Sequence, residues 1–199
     1  TPYGPGNDSG EINTIVRRST DGGATWGPPQ VVWADGKNTC GNPCPVVDES
    51  TGTIWLLMTH NLGQDLEKEI IAGTSDGTRS VWVTSSTDDG VTWAKPREIT
   101  AVAKKPEWRW YATGPGIGIQ LRHGPHAGRL IIPCDYITRE GEATVQNSHV
   151  IYSDDHGQTW TMGGEPPDRG FNESQAVELE GGKVMLNMRN GRGTAKRNR

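Results

Sequence analysis

The chain has little of several features that define common classes of protein. Its 199 residues include one Phe and three Cys, and the formal net charge is −4. This weak acidity provides no basic field for nucleic acid, and no apolar run approaches the roughly 20 residues that span a membrane. Cys40, Cys44 and Cys134 are odd in number and lack a second ligand pair at metal-binding spacing. We therefore expect three buried thiols, and we expect no disulfide framework, zinc site, nucleic-acid partner or membrane span.

Glycine, proline and tryptophan are abundant by contrast, with 27, 13 and 8 copies. Many turns and few long apolar runs are typical of an all-β protein built from short strands. The turns are also repeated. The string S-x-D-x-G-x-T-W occurs at residues 19–26, 86–93 and 153–160, and successive copies lie 67 residues apart. A constant interval of this length indicates a repeat architecture.

Each copy of the repeat follows a strand-like stretch rich in Val, Ile and Thr, which predicts a β-hairpin turn. In such a turn the Asp accepts backbone N–H groups, the Gly takes a positive φ and the Trp covers the turn as an apolar plug. We therefore assign Asp21, Asp88 and Asp155 to structure and not to chemistry on a substrate.

Further strands are predicted between the copies, at residues 52–60 and in two hairpins that enclose "RHGPHAG" and "EGG". About four short strands per repeat is the content of one blade of a β-propeller. The chain holds about three such repeats, whereas propellers close with typically 4 to 8 blades. Because open sheets would be left at both ends, we expect a segment of a longer propeller. The pairing of two chains into one ring is the less favoured alternative.

Three longer stretches carry a family resemblance. "NDSGEINTIVRRSTDGG", "WYATGPGIGIQLRHGPHAGRL" and "NESQAVELEGGKVMLNMRN" resemble, in this order, segments of the bacterial-type sialidases (neuraminidases), whose Asp-box or BNR repeat has the form S-x-D-x-G-x-T-W. The resemblance implies a six-bladed β-propeller, of which this chain covers about three blades. Residues 1–199 would then form one partial propeller domain.

The resemblance also implies two residues that handle a charged sugar. Sialic acid carries a carboxylate on its anomeric carbon, and the planar fork of Arg meets a carboxylate bidentately. Arg189 in "NMRN" matches the second of three arginines that bind this group in the family; the other two are expected upstream and downstream of the chain. Glu173 in "NESQ" matches the Glu that takes the proton of a Tyr nucleophile.

A Tyr nucleophile suits this substrate because a carboxylate nucleophile would be repelled by the sugar's own carboxylate, and sialidases are a known exception of this kind. A phenol needs a neighbouring base to become reactive. The tyrosines of the chain are Tyr3, Tyr111, Tyr136 and Tyr152. None stands in the family's sequence context, so the nucleophile is expected outside this chain.

Three more residues have implied roles with simpler alternatives. Asp8 matches the acid/base that protonates the leaving group, and the alternative is a solvated loop carboxylate. Asn42 in "GNPCP" matches a position that faces the sugar, and the alternative is a turn residue before proline. Tyr111 in "WYATGPG" could form a wall of the sugar pocket, and the alternative is packing within a blade.

The functional prediction is an exo-α-sialidase that releases terminal sialic acid from glycoproteins, glycolipids or oligosaccharides with retention. The resemblance implies no metal or organic cofactor and a secreted or periplasmic location, although no targeting segment is visible. One alternative is a non-catalytic Asp-box propeller that binds carbohydrate or protein. The other is a propeller glycosidase for a different sugar, which would lack the arginine clamp and use two carboxylates.

Overall fold

The computed structural model describes residues 8–191, which form four antiparallel sheets that follow one another along the chain. The first sheet contains β1 (Thr14–Val16) and β2 (Gln30–Trp33). The second contains β3 (Thr39–Asp48), β4 (Thr53–Asn61), β5 (Ser80–Ser86) and β6 (Arg97–Glu98). The third contains β7 (Trp110–Thr113), β8 (Ile119–Gln120), β9 (Leu130–Glu140), β10 (Ala143–Ser153) and β11 (Thr161–Met162). The fourth contains β12 (Phe171–Leu179) and β13 (Lys183–Asn190).

Strand order within the two larger sheets is that of propeller blades. The second sheet is a meander in the order β3-β4-β5-β6. The third runs β7-β9-β10-β11, and β8 pairs with a separate part of β9. The all-β class is therefore confirmed, as are the strand at residues 52–60 and both hairpins. A closed ring of six blades stays a prediction.

The described residues also include two short α-helices. α1 (Glu67–Ala72) connects β4 to β5, and α2 (Thr100–Ala103) follows β6. Within the described residues, no helix has the length and apolar character needed to cross a membrane. The helix α1 is relevant to the site described below because it carries Glu67, whose carboxyl interacts electrostatically with Asp8 and Arg79.

The three Asp-box turns have the same hydrogen bonds. In each copy the Asp side chain accepts the backbone N–H of the Thr four residues later at 2.8 to 2.9 Å and its hydroxyl at 2.6 Å. The Gly of each motif has a positive φ, between 77° and 91°. The bonds from Ser19 and Thr25 hold the pKa of Asp21 down at about 2, and those from Thr92 and Ser86 do the same for Asp88.

The Asp-box turns also connect neighbouring sheets. In the second turn, the backbone oxygen of Val91 accepts a hydrogen bond of 2.8 Å from Gln30 of the first sheet. In the third turn, the backbone oxygens of Gly157 and Gln158 accept bonds of 3.2 and 2.8 Å from Arg97 of the second sheet. Each of these turns therefore rests on the sheet that precedes it in the chain.

The tryptophans of the motif are buried to different degrees. Trp160 is 3% exposed and meets Trp55 of the second sheet edge to face, whereas Trp26 is 59% exposed. The difference arises because the first sheet has no preceding sheet within residues 8–191. The expectation of a buried plug thus fails for Trp26 and holds for Trp160.

The main core lies between the second and third sheets. Its side chains include Leu57 and Val83 from the second sheet and Ile132 and Ile151 from the third, and these are at most 1% exposed. Burial of this apolar surface is the principal force that holds the two sheets together. Cys40, Cys44 and Cys134 are buried and free, as expected.

Candidate active site

Glu173 and Arg189 form an ion pair at the start of the fourth sheet. The pairing register of β12 with β13 shifts between Phe171 and Ser174, and this irregularity places Glu173 beside Arg189. The Arg189 Nη1 atom lies 2.7 Å from the Glu173 Oε2 atom. Their side chains are 61% and 44% exposed, so both groups can be reached from solvent. The structure thus brings together two residues that lie 16 positions apart in the sequence.

Arg79 is a buried cation that the sequence argument did not identify. It directly precedes β5 and is 1% exposed. Its guanidinium lies 3.7 Å from the centre of the Trp110 ring, a favourable cation–π arrangement. Burial lowers the pKa of Arg79 to about 10, and the negative charges of Asp8, Glu67 and Asp135 oppose that shift.

Asn42 lies at an irregularity of β3 and is joined to Arg79. Its φ of 48° is in the left-handed region, which Asn tolerates better than most residues. Its side-chain oxygen accepts hydrogen bonds from Arg79 Nη2 and from the Thr59 hydroxyl, the latter at 2.9 Å. The structure therefore gives this oxygen a role within the protein, and a contact of Asn42 with the sugar stays a prediction.

Asp8 is an exposed residue at the beginning of the described chain. Its backbone oxygen accepts a hydrogen bond of 3.4 Å from Arg79 Nη1. Its charge also contributes to raising the pKa of Glu67, after the larger effect of desolvation. Asp8 is thus close to the Arg79 side of the site, and its role as acid/base stays a prediction.

Asp135 is a buried carboxyl group between the two halves of the site, also not identified from sequence. It lies in β9 and is 3% exposed. Burial raises its pKa to about 7, and the charge of Glu173 adds to this, while Arg79 and Arg189 oppose it. The Oδ1 atom of Asp135 has no hydrogen-bond partner among the residues that the structure describes. Asp135 therefore feels both the Arg79 group and the Glu173–Arg189 pair.

The result is a cluster of four carboxyl groups and two arginines, supplied by the segment before β1, by α1, by the residue before β5 and by the third and fourth sheets. Its members are Asp8, Glu67, Arg79, Asp135, Glu173 and Arg189. Carboxyl groups with a raised pKa near fixed cations, as Glu67 and Asp135 are here, are typical of catalytic sites. The sequence contains one signal for Asp135: this residue interrupts the apolar run "LIIPCDYI", where burying a charge is costly.

The position of Tyr111 corrects the expectation that it lines the sugar pocket. Tyr111 is 0% exposed, and its hydroxyl lies 2.9 Å from His149 Nε2 and donates to the backbone oxygen of Ala103 at 3.2 Å. Burial raises its pKa well above the ordinary value. The structure fits the alternative of packing within a blade, because all four residues of β7 are buried and Tyr111 has no exposed surface with which to line a pocket.

The comparisons with known proteins identify the family of the chain. The family model of the BNR repeat-like domain matches residues 3–199. The sialidase of Micromonospora viridifaciens is 41% identical over 198 residues, which cover 92% of this chain and 29% of that protein. Human sialidase-4 is 34% identical over 192 residues, covering 89% of this chain and 39% of its own. The chain therefore belongs to the sialidase family with BNR repeats.

A solved structure gives the same family. The Hadza microbial sialidase Hz136 superimposes with a TM-score of 0.77 at 31% sequence identity, over 90% of this chain and 36% of that one. The chain thus spans about a third of the length of the relatives that it matches. The fold, the order of sheets and the location of the charged cluster now provide the basis for a functional proposal.

Proposed function

We propose that this chain contributes part of the active site of an exo-α-sialidase, which hydrolyses terminal α-linked sialic acid with retention of configuration. The observation that carries the proposal is the exposed Glu173–Arg189 pair, with the buried carboxyl of Asp135 close behind it. The relatives named sialidase and exo-alpha-sialidase support the same reaction. The substrates would be sialylated glycoproteins, glycolipids and oligosaccharides.

Arg189 would bind the carboxylate of the sugar. A guanidinium has five N–H donors in one plane, and in Arg189 the Nη1 group is bonded to Glu173. The remaining donors can form the bidentate contact that a carboxylate prefers. Glu173 would hold the plane of the guanidinium in place, since an ion pair with a fixed partner restricts the rotation of a long side chain.

Glu173 would also accept the proton of the nucleophilic Tyr, which we expect outside this chain because none of its four tyrosines stands in the family's sequence context. Tyr136 has a raised pKa because of burial and its bond to Glu165, and Tyr111 is fully buried. Tyr152 lies under the guanidinium of Arg129, 4.1 Å from ring centre to Cζ. Two of these phenols are thus less acidic than a free phenol, which is the opposite of what an activated nucleophile requires.

Asp8 would complete the reaction as acid and then base. It would donate a proton to the leaving oxygen as the glycosidic bond breaks, and then remove a proton from the water that attacks the tyrosyl intermediate. An exposed loop carboxyl is suited to this exchange because it can be reached by both the aglycone and the water.

The proposal is tested by steady-state kinetics on the complete protein that carries this chain. We expect Arg189→Ala to lower kcat/KM for a fluorogenic α-sialoside by roughly 100-fold or more, because a charged contact to the substrate is lost. The matched control is Arg122→Ala, since Arg122 is 66% exposed and paired with Glu49 away from the site. Its activity should equal that of the wild type.

Two outcomes would contradict the proposal. Unchanged turnover by Arg189→Ala would contradict the proposed binding of the substrate carboxylate by Arg189. A wild-type protein that binds sialic acid by calorimetry but shows no turnover would favour the non-catalytic binding module instead.

A further inference from the structure

The guanidinium of Arg79 is buried without a directly bonded carboxylate among the described residues. It donates to three uncharged oxygens: Thr59 Oγ1 at 3.1 Å, Asn42 Oδ1, and the backbone oxygen of Asp8 at 3.4 Å. Burying a charge in this way carries a substantial desolvation cost, and an apolar side chain of similar volume would pack at lower cost. The retention of a charge here therefore points to a task other than packing.

The backbone of Arg79 is itself held in place. Lys104 is 6% exposed, and its ammonium donates at 2.7 Å to the backbone oxygen of Arg79 and at 2.7 Å to the hydroxyl of Thr78. The Arg79 side chain is fixed at its far end by the stacking on Trp110. Arg79 is thus a rigid element from which three directed N–H groups project.

What Arg79 holds is the segment that carries Asp8. The same segment is attached at Ser9, whose hydroxyl donates to the backbone oxygen of Asp65 at 3.0 Å, and at Gly10, whose backbone oxygen accepts a bond from the Thr39 hydroxyl of β3 at 2.8 Å. The bond from Arg79 acts one residue earlier, on Asp8 itself. The Asp8 side chain is exposed, so its direction depends on how its backbone is held.

We propose that Arg79 is a positioning residue, which sets the direction of the Asp8 carboxyl toward the leaving-group oxygen by fixing the backbone of Asp8 from below. Arg79 touches neither the sugar nor the attacking water. This inference rests on the proposed function, since it requires Asp8 to be the general acid. Displacements of about 1 Å at a reacting group can reduce a rate by roughly 100-fold, so the held backbone has a measurable consequence.

The test uses the dependence of the rate on the leaving group. Proton donation is essential for a sugar alcohol leaving group and is nearly dispensable for an activated aryl group, because the aryl oxide leaves without a proton. Asp8→Asn and Arg79→Lys are compared with the wild type on 3′-sialyllactose and on 4-nitrophenyl α-sialoside. We expect Arg79→Lys to lose roughly 10- to 100-fold in kcat/KM on sialyllactose and at least several-fold less on the aryl sialoside.

The matched control is Arg97→Lys. Arg97 also donates to backbone oxygens, those of Gly157 and Gln158. These belong to the third Asp-box turn, and Arg97 has no part in the proposed site. Its substitution should change both substrates by the same factor. The double variant Asp8→Asn/Arg79→Lys should be no slower on sialyllactose than Asp8→Asn alone, because the two residues serve one step.

The outcomes separate this inference from the proposed function. If Asp8→Asn loses the same factor on both substrates, the acid role of Asp8 is wrong, and the inference falls with it. If Asp8→Asn shows the leaving-group dependence and Arg79→Lys does not, Arg79 is merely structural and the proposed function stands. Losses that multiply in the double variant would also overturn the inference.

A milder variant covers the case in which Arg79→Lys does not fold. Thr59→Val removes one acceptor of the guanidinium and keeps the size of the side chain. We expect a smaller loss with the same bias against sialyllactose. An equal effect on both substrates would contradict the positioning role.

Discussion

At the scale of single residues, the fold changes the protonation of the buried Asp135 carboxyl. Its pKa is raised to about 7, chiefly by burial and then by Glu173. The groups that face it are Arg79, Arg189, Glu173 and Glu67. Because the folded pKa lies above that of the unfolded chain, the folded state binds the proton more tightly. Stability from this group is present at low pH and is lost as the pH rises toward 7.

We therefore expect Asp135→Asn to gain stability relative to the wild type between pH 4 and pH 8. The difference should be small near pH 4, grow to at most a few kcal/mol and become constant above pH 7. Thermal midpoints of the two proteins at pH 4, 6 and 8 measure it.

The control for this prediction is Asp154→Asn. A hydrogen bond from Arg129 lowers the pKa of Asp154. The contribution of Asp154 to the free energy of unfolding is therefore fully present above the pKa of the unfolded chain, and it should not change between pH 5 and pH 8. A stability difference for Asp135→Asn that is independent of pH would show that Asp135 is ionised throughout.

Some residues of the candidate site could be predicted from the sequence, and others are recognised only from the three-dimensional arrangement. Glu173 and Arg189 could be named from the family resemblance of the stretches that contain them, whereas their contact depends on a shift of register that no local pattern predicts. Arg79 could not be named, because its importance depends on three oxygens supplied from positions 8, 42 and 59. The prediction that Tyr111 lines the sugar pocket was wrong, because the sequence of a short apolar strand does not show which of its side chains reach the surface.

At the scale of elements, the Asp-box turn is a tight turn that also forms hydrogen bonds with the neighbouring sheet. Arg97 binds two backbone oxygens of the third turn, and Asp155 holds the same turn in its shape. The two residues do not contact one another, so any energetic coupling between them must pass through the turn.

We expect Arg97→Ala and Asp155→Ala to be coupled. Once the turn has lost its shape, the removal of Arg97 should cost little more, giving a coupling of about 0.5 kcal/mol or more in the free energy of unfolding. The pair Arg97→Ala and Asp21→Ala, which acts on a different turn, should be additive. Chemical denaturation of the single and double variants measures both cycles, and additivity in the first pair would show that the docking is independent of the turn.

The strands themselves were predictable where they are long. Residues 52–60 and the hairpin around "EGG" have enough alternating or continuous apolar character to be recognised. The strands β6 and β11 were not predictable because, unlike the equally short β8, neither belongs to a longer apolar run beside a glycine-rich turn. They form only because the preceding turn returns the chain beside its neighbour.

At the scale of the whole molecule, the first and fourth sheets each have one covered and one open face. In the fourth sheet, Ala176 and Leu186 pack against the third sheet, while Val177 and Met185 on the other face are 41% and 47% exposed. The first sheet has a similar open pair, since Ile15 and Val31 are 56% and 58% exposed. Paired apolar side chains of this kind are typical of surfaces that another element covers.

We expect a fragment of residues 8–191, expressed alone, to self-associate through these faces. Met185→Lys and Val31→Lys should reduce the association, because a charge at the centre of an apolar face opposes its burial. Val102→Lys is the control, since Val102 is 48% exposed on α2 and away from both faces. Light scattering after gel filtration measures the mass. A wild-type fragment that is monomeric would show that the open faces are stable in water.

The docking of Asp-box turns has a direction. The third turn rests on Arg97 and the second on Gln30, and in both cases the residue that receives the turn comes earlier in the chain. During translation, Gln30 and Arg97 are therefore synthesised before the turns that bind them. Each new sheet binds a sheet that has already been synthesised, so the sheets assemble in the order in which they are translated.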